Sequence, residues 1–441
     1  MMVQPNIDAT HDPAASSWVE GADGHPDFPI QNLPLARARI GGAGHVVCAI
    51  GEFALDLGSL ATEKGLAPAL AAALAPVQGA SLQPLMAAGP RAGQALRSAL
   101  FDALRSGADA ALRSTVERHL VARSGLELLL PQRPGTFADF YSSIHHAVNV
   151  GALVRPDRPL MPNYTWLPVG YHGRTSTIFP SGQDFTRPRG QVVQGPDDQI
   201  GYAPSARLDY EAELGFFVGA PSRCGEPVSA AQAHEHLFGV TLLNDWSARD
   251  IQFWEYMPLG PFLGKSFATT IGAWVVTRQA LEPFRVPPPW KPDHRLLPHL
   301  DAPGQRALGG FDIKVEVHLQ TGSMRRQGLP RHRLSVSTCA TSYWTVGQMI
   351  AHQTSNGANL EAGDLIGSGT LSGPEEVSRG CLLEITRGGQ QAVALPGGEQ
   401  RPFRQDGDGV TLVGYCEAPG RARIGLGEAT ARVLPATATS D

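Results

Sequence analysis

The sequence predicts a mainly β protein with some α structure, divided into a small N-terminal module and a larger C-terminal domain. A length of 441 residues exceeds the usual size of one domain, so two domains are expected. From residue 137 onward, short apolar segments alternate with Gly and Pro turns, which is typical of many short strands. Helical periodicity is concentrated between residues 61 and 123, which places the helices in the N-terminal part.

Composition and charge narrow the class of protein. Hydrophobic residues make up 42% and charged residues 17%, a balance that indicates a globular chain. With a formal net charge of -5 and no basic patch, neither nucleic acid nor an anionic membrane is an expected partner. The longest apolar run, residues 66–77, is too short to cross a bilayer, and no secretory signal is evident. The five cysteines are odd in number and never form a CxxC pair, so we expect reduced thiols in a cytoplasmic protein.

The N-terminal part is expected to consist of a loose tail and a small domain. Residues 1–17 have the Pro, Asp and Ser content of a tail, and residues 18–134 form the small domain with its helices and a linker. Its expected elements are extended segments at 26–34, 46–51 and 53–57, helices at 61–75, 89–106 and 109–123, and a linker at 126–134. Pro68 is expected to kink or restart the first helix.

Residues 135–441 are expected to form the larger domain. The expected strands include 208–218, 312–320, 381–386 and 409–416. Two capping-box patterns predict short helices at 230–238 and 346–354. The Pro-rich residues 283–310 show no periodicity, and we expect a surface loop there.

Polar side chains crowd residues 243–270, directly after an apolar run that predicts a strand. Asp245, Arg249, Gln252, Tyr256 and Lys265 fall within this short stretch, together with a Pro and Gly elbow. Binding and catalytic residues concentrate in loops that a rigid scaffold holds. A solvated loop without function is the alternative.

A second group of candidates is acidic. Glu211 and Glu213 are two positions apart on a predicted strand, so their carboxylates point to the same face. Asp139 and Asp245 add two more carboxylates, and oxygen ligands without His or Cys suit Mg²⁺, Ca²⁺ or Mn²⁺. The alternative is the solvated outer face of an edge strand.

Histidine and glycine supply the remaining candidates. His145 and His146 are possible general bases because imidazole titrates near neutral pH, although either could be a structural histidine. The run 367–373, GSGTLSG, lets the backbone approach a ligand and presents the Thr370 hydroxyl. A tight β turn is the alternative there.

In combination, these motifs are specific. The chain carries, in order, Asp139-x-Tyr141-x-x-x-x-His146, LPVGYHGR at 167–174, Glu211-x-Glu213, NDWSARDIQ at 244–252, GKSF at 264–267 and GSGTLSG at 367–373. In this order they resemble the fumarylacetoacetate hydrolase family, and HPDFPIQNLP at 25–34 is similar to that family's small domain. The resemblance implies a small SH3-like β module, a large C-terminal β-roll domain and a homodimer.

The resemblance also implies roles for individual residues. It implies that divalent metal is bound by Asp139, Glu211, Glu213 and Asp245, with Lys265 and Thr269 also at a cation. A protonated Lys265 could ligate a cation only through its backbone carbonyl. His146 corresponds to the catalytic base, which Glu384 orients, and Arg249, Gln252 and Lys265 lie near the developing negative charge. The implied substrate-contacting residues are Tyr141, Arg155, Tyr171, Gln252, Tyr256 and Thr370.

The activity that the resemblance implies is metal-dependent hydrolysis of a carbon-carbon bond. The substrate would be the small β-diketo acid 4-fumarylacetoacetate, the products fumarate and acetoacetate, and the cofactor Mg²⁺ and/or Ca²⁺. This reaction is the last step of tyrosine and phenylalanine catabolism. One alternative is a related metal-dependent acylpyruvate hydrolase or decarboxylase. Another is a catalytically silent dimeric binding protein in which the same acids hold a structural Ca²⁺.

Overall fold

The computed structural model describes residues 4–195, 199–289 and 294–438, and its N-terminal part contains a five-stranded antiparallel sheet. The elements of this part are β1 (Leu35–Ile40), β2 (Ala43–Ile50), β3 (Phe53–Asp56), α1 (Leu57–Leu60), α2 (Pro68–Leu74), α3 (Gln83–Ala87), α4 (Pro90–Leu104), α5 (Ala110–Glu117), β4 (Leu120–Ala122) and β5 (Glu127–Leu129). The strands lie in the order β4-β3-β2-β1-β5. This sheet confirms the expected small β module.

Several N-terminal elements follow the sequence pattern, and three differ. Pro68 starts α2, as expected for a proline that restarts a helix, and α4 occupies most of the predicted helix 89–106. Residues 26–34 form no strand, and the third predicted helix ends at Glu117 because β4 follows. The expected linker 126–134 contains β5, which pairs with Arg37–Arg39 of β1. Backbone pairing with a distant strand overrides the linker-like composition.

The C-terminal domain is built from two sheets and several short ribbons. Its strands are β6 (Phe137–Phe140), β7 (Gly170–His172), β8 (Ile178–Pro180), β9 (Phe185–Thr186), β10 (Arg189–Gln194), β11 (Gln199–Pro204), β12 (Leu208–Asp209), β13 (Ala212–Val218), β14 (Leu237–Asp245), β15 (Ser247–Ala248), β16 (Thr269–Ile271), β17 (Val276–Thr277), β18 (Arg285–Val286), β19 (Gly310–Phe311), β20 (Lys314–Gln320), β21 (His332–Thr338), β22 (Leu365–Gly367), β23 (Val393–Ala394), β24 (Gln400–Arg401), β25 (Gly409–Cys416) and β26 (Ile424–Leu434). Its helices are α6 (Ile144–Val154), α7 (Arg249–Glu255), α8 (Leu263–Ser266), α9 (Pro303–Leu308), α10 (Gly322–Arg326), α11 (Val346–Thr354) and α12 (Leu382–Ile385).

The larger sheet has eight strands and lies between two cores. Its order is β7-β6-β22-β13-β14-β16-β8, with β17 paired to β14, and the second sheet has the order β21-β20-β25-β26-β9. Along β14, Leu242 belongs to the core shared with the second sheet, whereas Leu243 belongs to the core shared with the N-terminal module. Successive residues of a strand face opposite sides, so both faces of β14 are covered. Each fully buried leucine contributes roughly 1.5–3 kcal/mol.

The structure corrects three expectations in the C-terminal domain. Residues 381–386 do not form a strand, because Leu382–Ile385 is a short helix whose first amides bond to the Asp209 carboxylate. The predicted helix 230–238 is only a 3-10 turn at Ala233–His236, since the central strand β14 begins at Leu237. The expected surface loop 283–310 contains β18, α9 and the buried Leu300, while residues 290–293 lie outside the described part.

The segment expected as a loose tail packs against the protein body. Ala9–His11 forms a 3-10 turn that the Asp8 side chain caps, and both Thr10 and His11 are buried. His11 Nε2 lies 2.8 Å from the carbonyl oxygen of Gln279, and the buried guanidinium of Arg97 donates to Thr10. These long-range bonds hold a stretch whose composition alone is that of a tail.

The fold class predicted from the sequence is confirmed. The chain is mainly β with some α structure, and a small N-terminal β module accompanies a large C-terminal β domain. No helix in the described ranges is long and apolar enough to span a membrane.

Candidate active site

Four carboxylates meet at the ends of neighbouring strands in the eight-stranded sheet. Ligand atoms of Asp139, Glu211, Glu213 and Asp245 all lie within 4.8 Å of one another, and every one of these residues is buried. β6 supplies Asp139, β13 and the residue before it supply the two glutamates, and β14 ends at Asp245. Glu211 and Glu213 therefore face the same cluster, as their two-residue spacing predicts. β13 lies between β14 and β22, which excludes a solvated edge strand.

Lys265 places an ammonium group inside this cluster. Its Nζ donates to Glu211 Oε2, and to Asp245 Oδ2 at 2.8 Å. The Tyr171 hydroxyl also donates to Asp245, and the Thr269 hydroxyl lies 3.3 Å from Asp245 Oδ1. Lys265 thus contacts the carboxylates through its side-chain ammonium group, whereas the sequence suggested contact with a cation through its backbone carbonyl.

Electrostatic surroundings shift the pKa of Glu211 in one direction and the pKa values of Glu213 and Asp139 in the other. Burial opposes ionisation of Glu211, but the Lys265 and Arg249 charges outweigh it and hold the pKa of that carboxyl below its usual range. Burial raises the pKa of Glu213 well above its usual range, and the charge of Asp139 adds to the rise. Burial and the charge of Asp245 likewise raise the pKa of Asp139. The charge of Lys265 therefore offsets the rise only in part for Asp139 and Glu213.

The cluster fits a divalent cation. Neither carboxylate oxygen of Glu213 accepts a hydrogen bond from any N–H or alcohol group in the described part of the chain, although both are buried. A buried carboxylate without donors is costly unless a cation compensates it. Oxygen donors from carboxylates are the ligands that Mg²⁺ and Ca²⁺ prefer. Asp139, Glu211, Glu213 and Asp245 could therefore hold such an ion.

A histidine and a glutamate form the second part of the site. His146 lies in the first turn of α6, where Ser143 caps the helix, and its Nδ1 is 2.7 Å from Glu384 Oε2. Glu384 lies on α12 and is buried, as is His146. The neighbouring His145 is only partly buried and does not line the cavity described below. Of the two candidate histidines, the structure thus brings His146 to the other predicted site residues.

Glu384 is held as an ionised carboxylate by a shell of donors. Besides His146, it accepts hydrogen bonds from Ser372 Oγ and Asn149 Nδ2, both at 2.8 Å, and from Cys381 Sγ at 3.2 Å. Burial raises the pKa of Glu384, but His146, Asn149 and Ser372 outweigh it, and the pKa falls to about 2. The contact with the ionised Glu384 engages His146 Nδ1, which leaves Nε2 as the ring nitrogen available for proton transfer.

A buried guanidinium lies between the two parts of the site. Arg249 Nη1 is 2.7 Å from Glu211 Oε1 and 3.1 Å from the side-chain oxygen of Gln252. Its Nε and Nη2 donate to Asp209 Oδ2 at 3.0 and 2.9 Å. Arg249 therefore has a fixed orientation, with donors on one edge engaged by Asp209 and the opposite edge directed to the carboxylate cluster.

One cavity of about 400 Å³ joins these groups. The predicted site residues that line it are Asp139, Tyr141, His146, Arg155, Tyr171, Glu211, Arg249, Gln252, Tyr256, Lys265 and Thr370. Val150, Phe253 and Leu383 add apolar wall. Glu384, which is bonded to His146, does not line this cavity, and neither do Glu213 and Asp245 of the carboxylate cluster. A cavity of this size and mixed polarity suits a small organic acid.

Two polar groups of the cavity wall are buried without partners among the described residues: Arg155 Nε and Thr370 Oγ1. Buried polar atoms normally have a hydrogen-bond partner, so these two are available to a ligand. Thr370 follows Gly369, whose φ of 72° and close approach to the Phe140 carbonyl exclude a side chain. A Cβ on Gly367 would overlap the Asp139 carboxylate. The glycine run therefore brings its backbone against the acidic cluster.

Thr269 and Asp245 line a second, adjoining cavity of about 350 Å³. Tyr171 and Lys265 line both cavities. Thr269 and Asp245 are thus predicted site residues that line the adjoining cavity and not the main one.

Four side chains around the site did not emerge from the sequence: Asn149, Asp209, Ser372 and Cys381. Asn149 is three positions after His146 on α6, and this spacing places the two side chains on one helix face. Asp209 is two positions before Glu211, which continues the same alternation. These two spacings could have identified Asn149 and Asp209 from the sequence. No local sequence pattern marks Ser372 or Cys381.

Comparisons with known proteins agree with this arrangement. The family model described as fumarylacetoacetate (FAA) hydrolase C-terminal matches residues 135–434, and the model described as fumarylacetoacetase N-terminal matches residues 31–131. The chain is 40% identical to a fumarylacetoacetase of Oryza sativa subsp. japonica over 95% of this chain and 97% of that protein. It is 48% identical to a fumarylacetoacetase of Caenorhabditis elegans over 72% and 74%, and 46% identical to one of Homo sapiens over 72% and 74%.

Solved structures show the same fold. A fumarylacetoacetate hydrolase from the psychrophilic Exiguobacterium antarcticum matches with a TM-score of 0.51 at 16% identity, over 91% of this chain and 99% of that chain. The likeness at this identity concerns the fold alone, whereas the two family models together account for most of the sequence. The resemblance read from the motifs is therefore confirmed, and the chain belongs to the fumarylacetoacetate hydrolase family.

Proposed function

We propose that this chain hydrolyses the carbon-carbon bond of 4-fumarylacetoacetate and releases fumarate and acetoacetate. The observation that carries the proposal is one cavity lined by Asp139 and Glu211 of the buried four-carboxylate cluster and by His146, which is paired with Glu384. The relatives at 40–48% identity that bear the name fumarylacetoacetase support the choice of substrate.

His146 is proposed as the general base. With Nδ1 bonded to Glu384, its Nε2 can take a proton from a water molecule in the cavity. The water oxygen then bonds to the keto carbon of the fumaryl group, and Glu384 stabilises the imidazolium that forms. When the resulting oxyanion collapses, the carbon-carbon bond breaks, and its electron pair remains on the acetoacetate carbon, which takes up a proton.

Three donors are proposed to stabilise the oxyanion. Arg249, Gln252 and Lys265 line the cavity, and the fixed positions of the two cations limit the reorganisation needed during the reaction. The substrate carboxylates would be bound by Arg155 and by the hydroxyl groups of Tyr141 and Tyr256, with Thr370 and Tyr171 as further contacts. Burial raises the pKa of the Tyr141 and Tyr171 hydroxyls, so both remain donors at neutral pH.

Mg²⁺ or Ca²⁺ is proposed as the cofactor, held by Asp139, Glu211, Glu213 and Asp245. A divalent ion bound there would supply positive charge to the oxygens of the β-diketone. This proposal is supported by the set of oxygen donors and by the Glu213 carboxylate, which has no N–H or hydroxyl donor among the described residues. A contribution from Thr269 or the Lys265 carbonyl would belong to the adjoining cavity.

The test is the loss of fumarylacetoacetate absorbance with the purified, metal-loaded protein. We expect turnover with the wild-type chain and none with His146→Ala, while metal binding by the variant persists. Turnover of acylpyruvates together with no activity on fumarylacetoacetate would overturn the proposal. Metal and ligand binding without turnover of either substrate would identify a binding protein instead.

We also propose a homodimer in the cytoplasm. Met257, Leu259 and Phe262 are 69%, 97% and 59% exposed beside the cavity, and a second copy would cover them. Free thiols at all five cysteines fit a reducing compartment. Light scattering of the purified chain tests the first point, since a monomeric mass would contradict it. Fractionation of cells that express the chain tests the second.

A further inference from the structure

Asp209 is a buried carboxylate that touches both halves of the site without lining the cavity. Its side chain is fully buried at the end of β12. Oδ2 accepts hydrogen bonds from Arg249 Nε at 3.0 Å and Nη2 at 2.9 Å, and from the Leu383 amide at 2.9 Å. Oδ1 accepts from the Leu382 amide at 2.8 Å and from the amide of Tyr210. One side chain therefore joins a guanidinium to the first turn of α12.

The two groups that Asp209 binds, the first turn of α12 and the Arg249 guanidinium, contact different parts of the site. Leu382 and Leu383 are the first residues of α12, and the next residue is Glu384, which binds His146 Nδ1. On the other side, Arg249 directs Nη1 to Glu211 and Gln252. The position of the base and that of a cationic donor thus depend on the same carboxylate.

The negative charge of Asp209 is needed for this arrangement. A carboxylate can accept all of these hydrogen bonds, whereas the amide of an asparagine replaces one acceptor with a donor. Hydrogen bonds between ionised groups are shorter and stronger than neutral ones. Asparagine would also leave the Arg249 guanidinium with Glu211 as its remaining carboxylate partner.

We propose that Asp209 is a positioning residue that aligns the Glu384–His146 pair with the Arg249 guanidinium. It acts through these residues and does not contact the substrate. This inference rests on the proposed hydrolysis for its kinetic consequences, although the geometry it describes can be measured without turnover.

Asp408 provides a matched control for Asp209→Asn. It is fully buried, accepts hydrogen bonds from Arg401 Nε at 2.9 Å and Nη2 at 3.2 Å, and also accepts from the Gln405 amide. It lines neither site cavity. Both substitutions remove one buried charge from an arginine pair, so both are expected to destabilise the fold to a similar degree.

The kinetic experiment compares kcat and KM of the two variants. Misalignment of reacting groups costs about 10²-fold in rate, so we expect Asp209→Asn to lower kcat by that factor with KM nearly unchanged. Asp408→Asn should keep the wild-type kcat per folded molecule. If Asp209→Asn does not fold, Asp209→Glu retains the charge and should also lower kcat, since the carboxylate is displaced by one methylene. Equal kcat for the Asp209 and Asp408 variants would overturn the proposal.

A double-mutant cycle separates alignment from general destabilisation. On an Arg249→Met or a Glu384→Gln background, Asp209→Asn should cost much less in kcat than it does in the wild type, because the group it aligns is already absent. Full additivity in both cycles would contradict an effect that passes through Arg249 and Glu384.

Nuclear magnetic resonance and hydrogen exchange decide the proposal even if the wild-type chain does not hydrolyse this diketo acid. We expect Asp209→Asn to shift the His146 Nδ1 proton signal and to make the amides of Leu382 and Leu383 exchange about tenfold faster. Asp408→Asn should leave both unchanged. Unaltered signals in Asp209→Asn would overturn the proposal, whereas absent wild-type turnover would overturn the proposed function alone.

Discussion

His146 Nδ1 and Glu384 Oε2 are 2.7 Å apart, although 238 positions separate these residues in the chain. The pair is buried, and Ser372 and Asn149 complete the hydrogen bonds of the glutamate. The carboxylate thereby fixes both the ring orientation and the nitrogen that remains free.

Glu384→Gln should lower kcat strongly and leave the fold intact. A glutamine cannot stabilise the imidazolium or keep the proton on Nδ1, and general-base catalysis contributes about 10² to 10⁴ in rate. Steady-state kinetics with circular dichroism as a check on folding measure this effect. Glu316→Gln is the control, because Glu316 forms a comparable 2.8 Å pair with His318 outside the site. Equal kcat in both variants would rule out an orienting role for Glu384.

Lys265→Met should bind divalent cation more tightly and yet turn over more slowly. The ammonium group contacts Glu211 and Asp245, so its positive charge competes with a metal ion for the same carboxylates. Removal of one unit charge at this distance should strengthen binding by about tenfold or more. Calorimetric titration of metal-stripped protein with Mg²⁺ and Ca²⁺ measures the change. Weaker binding by the variant would show that Lys265 organises the ligands instead.

Metal removal should lower thermal stability, and Glu213→Gln should reduce that dependence. Saturation at about 100 times Kd stabilises a protein by roughly 2.7 kcal/mol. Because Glu213 has no hydrogen-bond donor among the described N–H and alcohol groups, its neutralisation should stabilise the metal-free form. Thermal scans with chelator and with added Mg²⁺ or Ca²⁺ compare the variant with the wild type. A metal-induced rise in Tm equal to that of the wild type would contradict a ligand role for Glu213.

Acidification should destabilise the fold through His234. Burial, with the charges of Arg285 and Arg278, lowers the pKa of His234 to about 3, so the folded state keeps this ring neutral. In the unfolded chain the ring binds a proton below about pH 6.5, and stability from this group falls as pH decreases from there towards 3. Between pH 7 and 5 the expected loss is about 2 kcal/mol.

His234→Leu should remove this part of the pH dependence. The two unfolding free energies, from urea titrations at pH 7 and pH 5, should differ by about 2 kcal/mol less in the variant than in the wild type. An identical pH dependence in both proteins would show that His234 becomes protonated in the folded state.

Local sequence pattern correctly predicted the elements whose bounds are determined by their own residues. β25 and α11 have the predicted bounds, since apolar periodicity and a Thr345–Gln348 capping box determine them locally. The Glu211 and Glu213 spacing predicted a shared face, and the cluster places both carboxylates together.

Long-range contacts explain what the pattern missed. Residues 381–386 were predicted as a strand, but the Asp209 carboxylate binds the Leu382 and Leu383 amides from more than 170 positions away, and a short helix begins there. The N-terminal segment likewise has the composition of a tail, yet His11 reaches the Gln279 carbonyl. The local sequence around residues 381–386 and around His11 does not identify Asp209 or Gln279 as a partner. The surroundings of Glu384 therefore follow from the fold and could not be predicted from local pattern.

The most direct measurement of the proposed reaction is product analysis of fumarylacetoacetate turnover in ¹⁸O-labelled water. We predict equimolar fumarate and acetoacetate, with one labelled oxygen in the new carboxylate of fumarate and none incorporated into acetoacetate by the cleavage step. Release of carbon dioxide, or fumarate without the label, would contradict attack of water on the keto carbon of the fumaryl group.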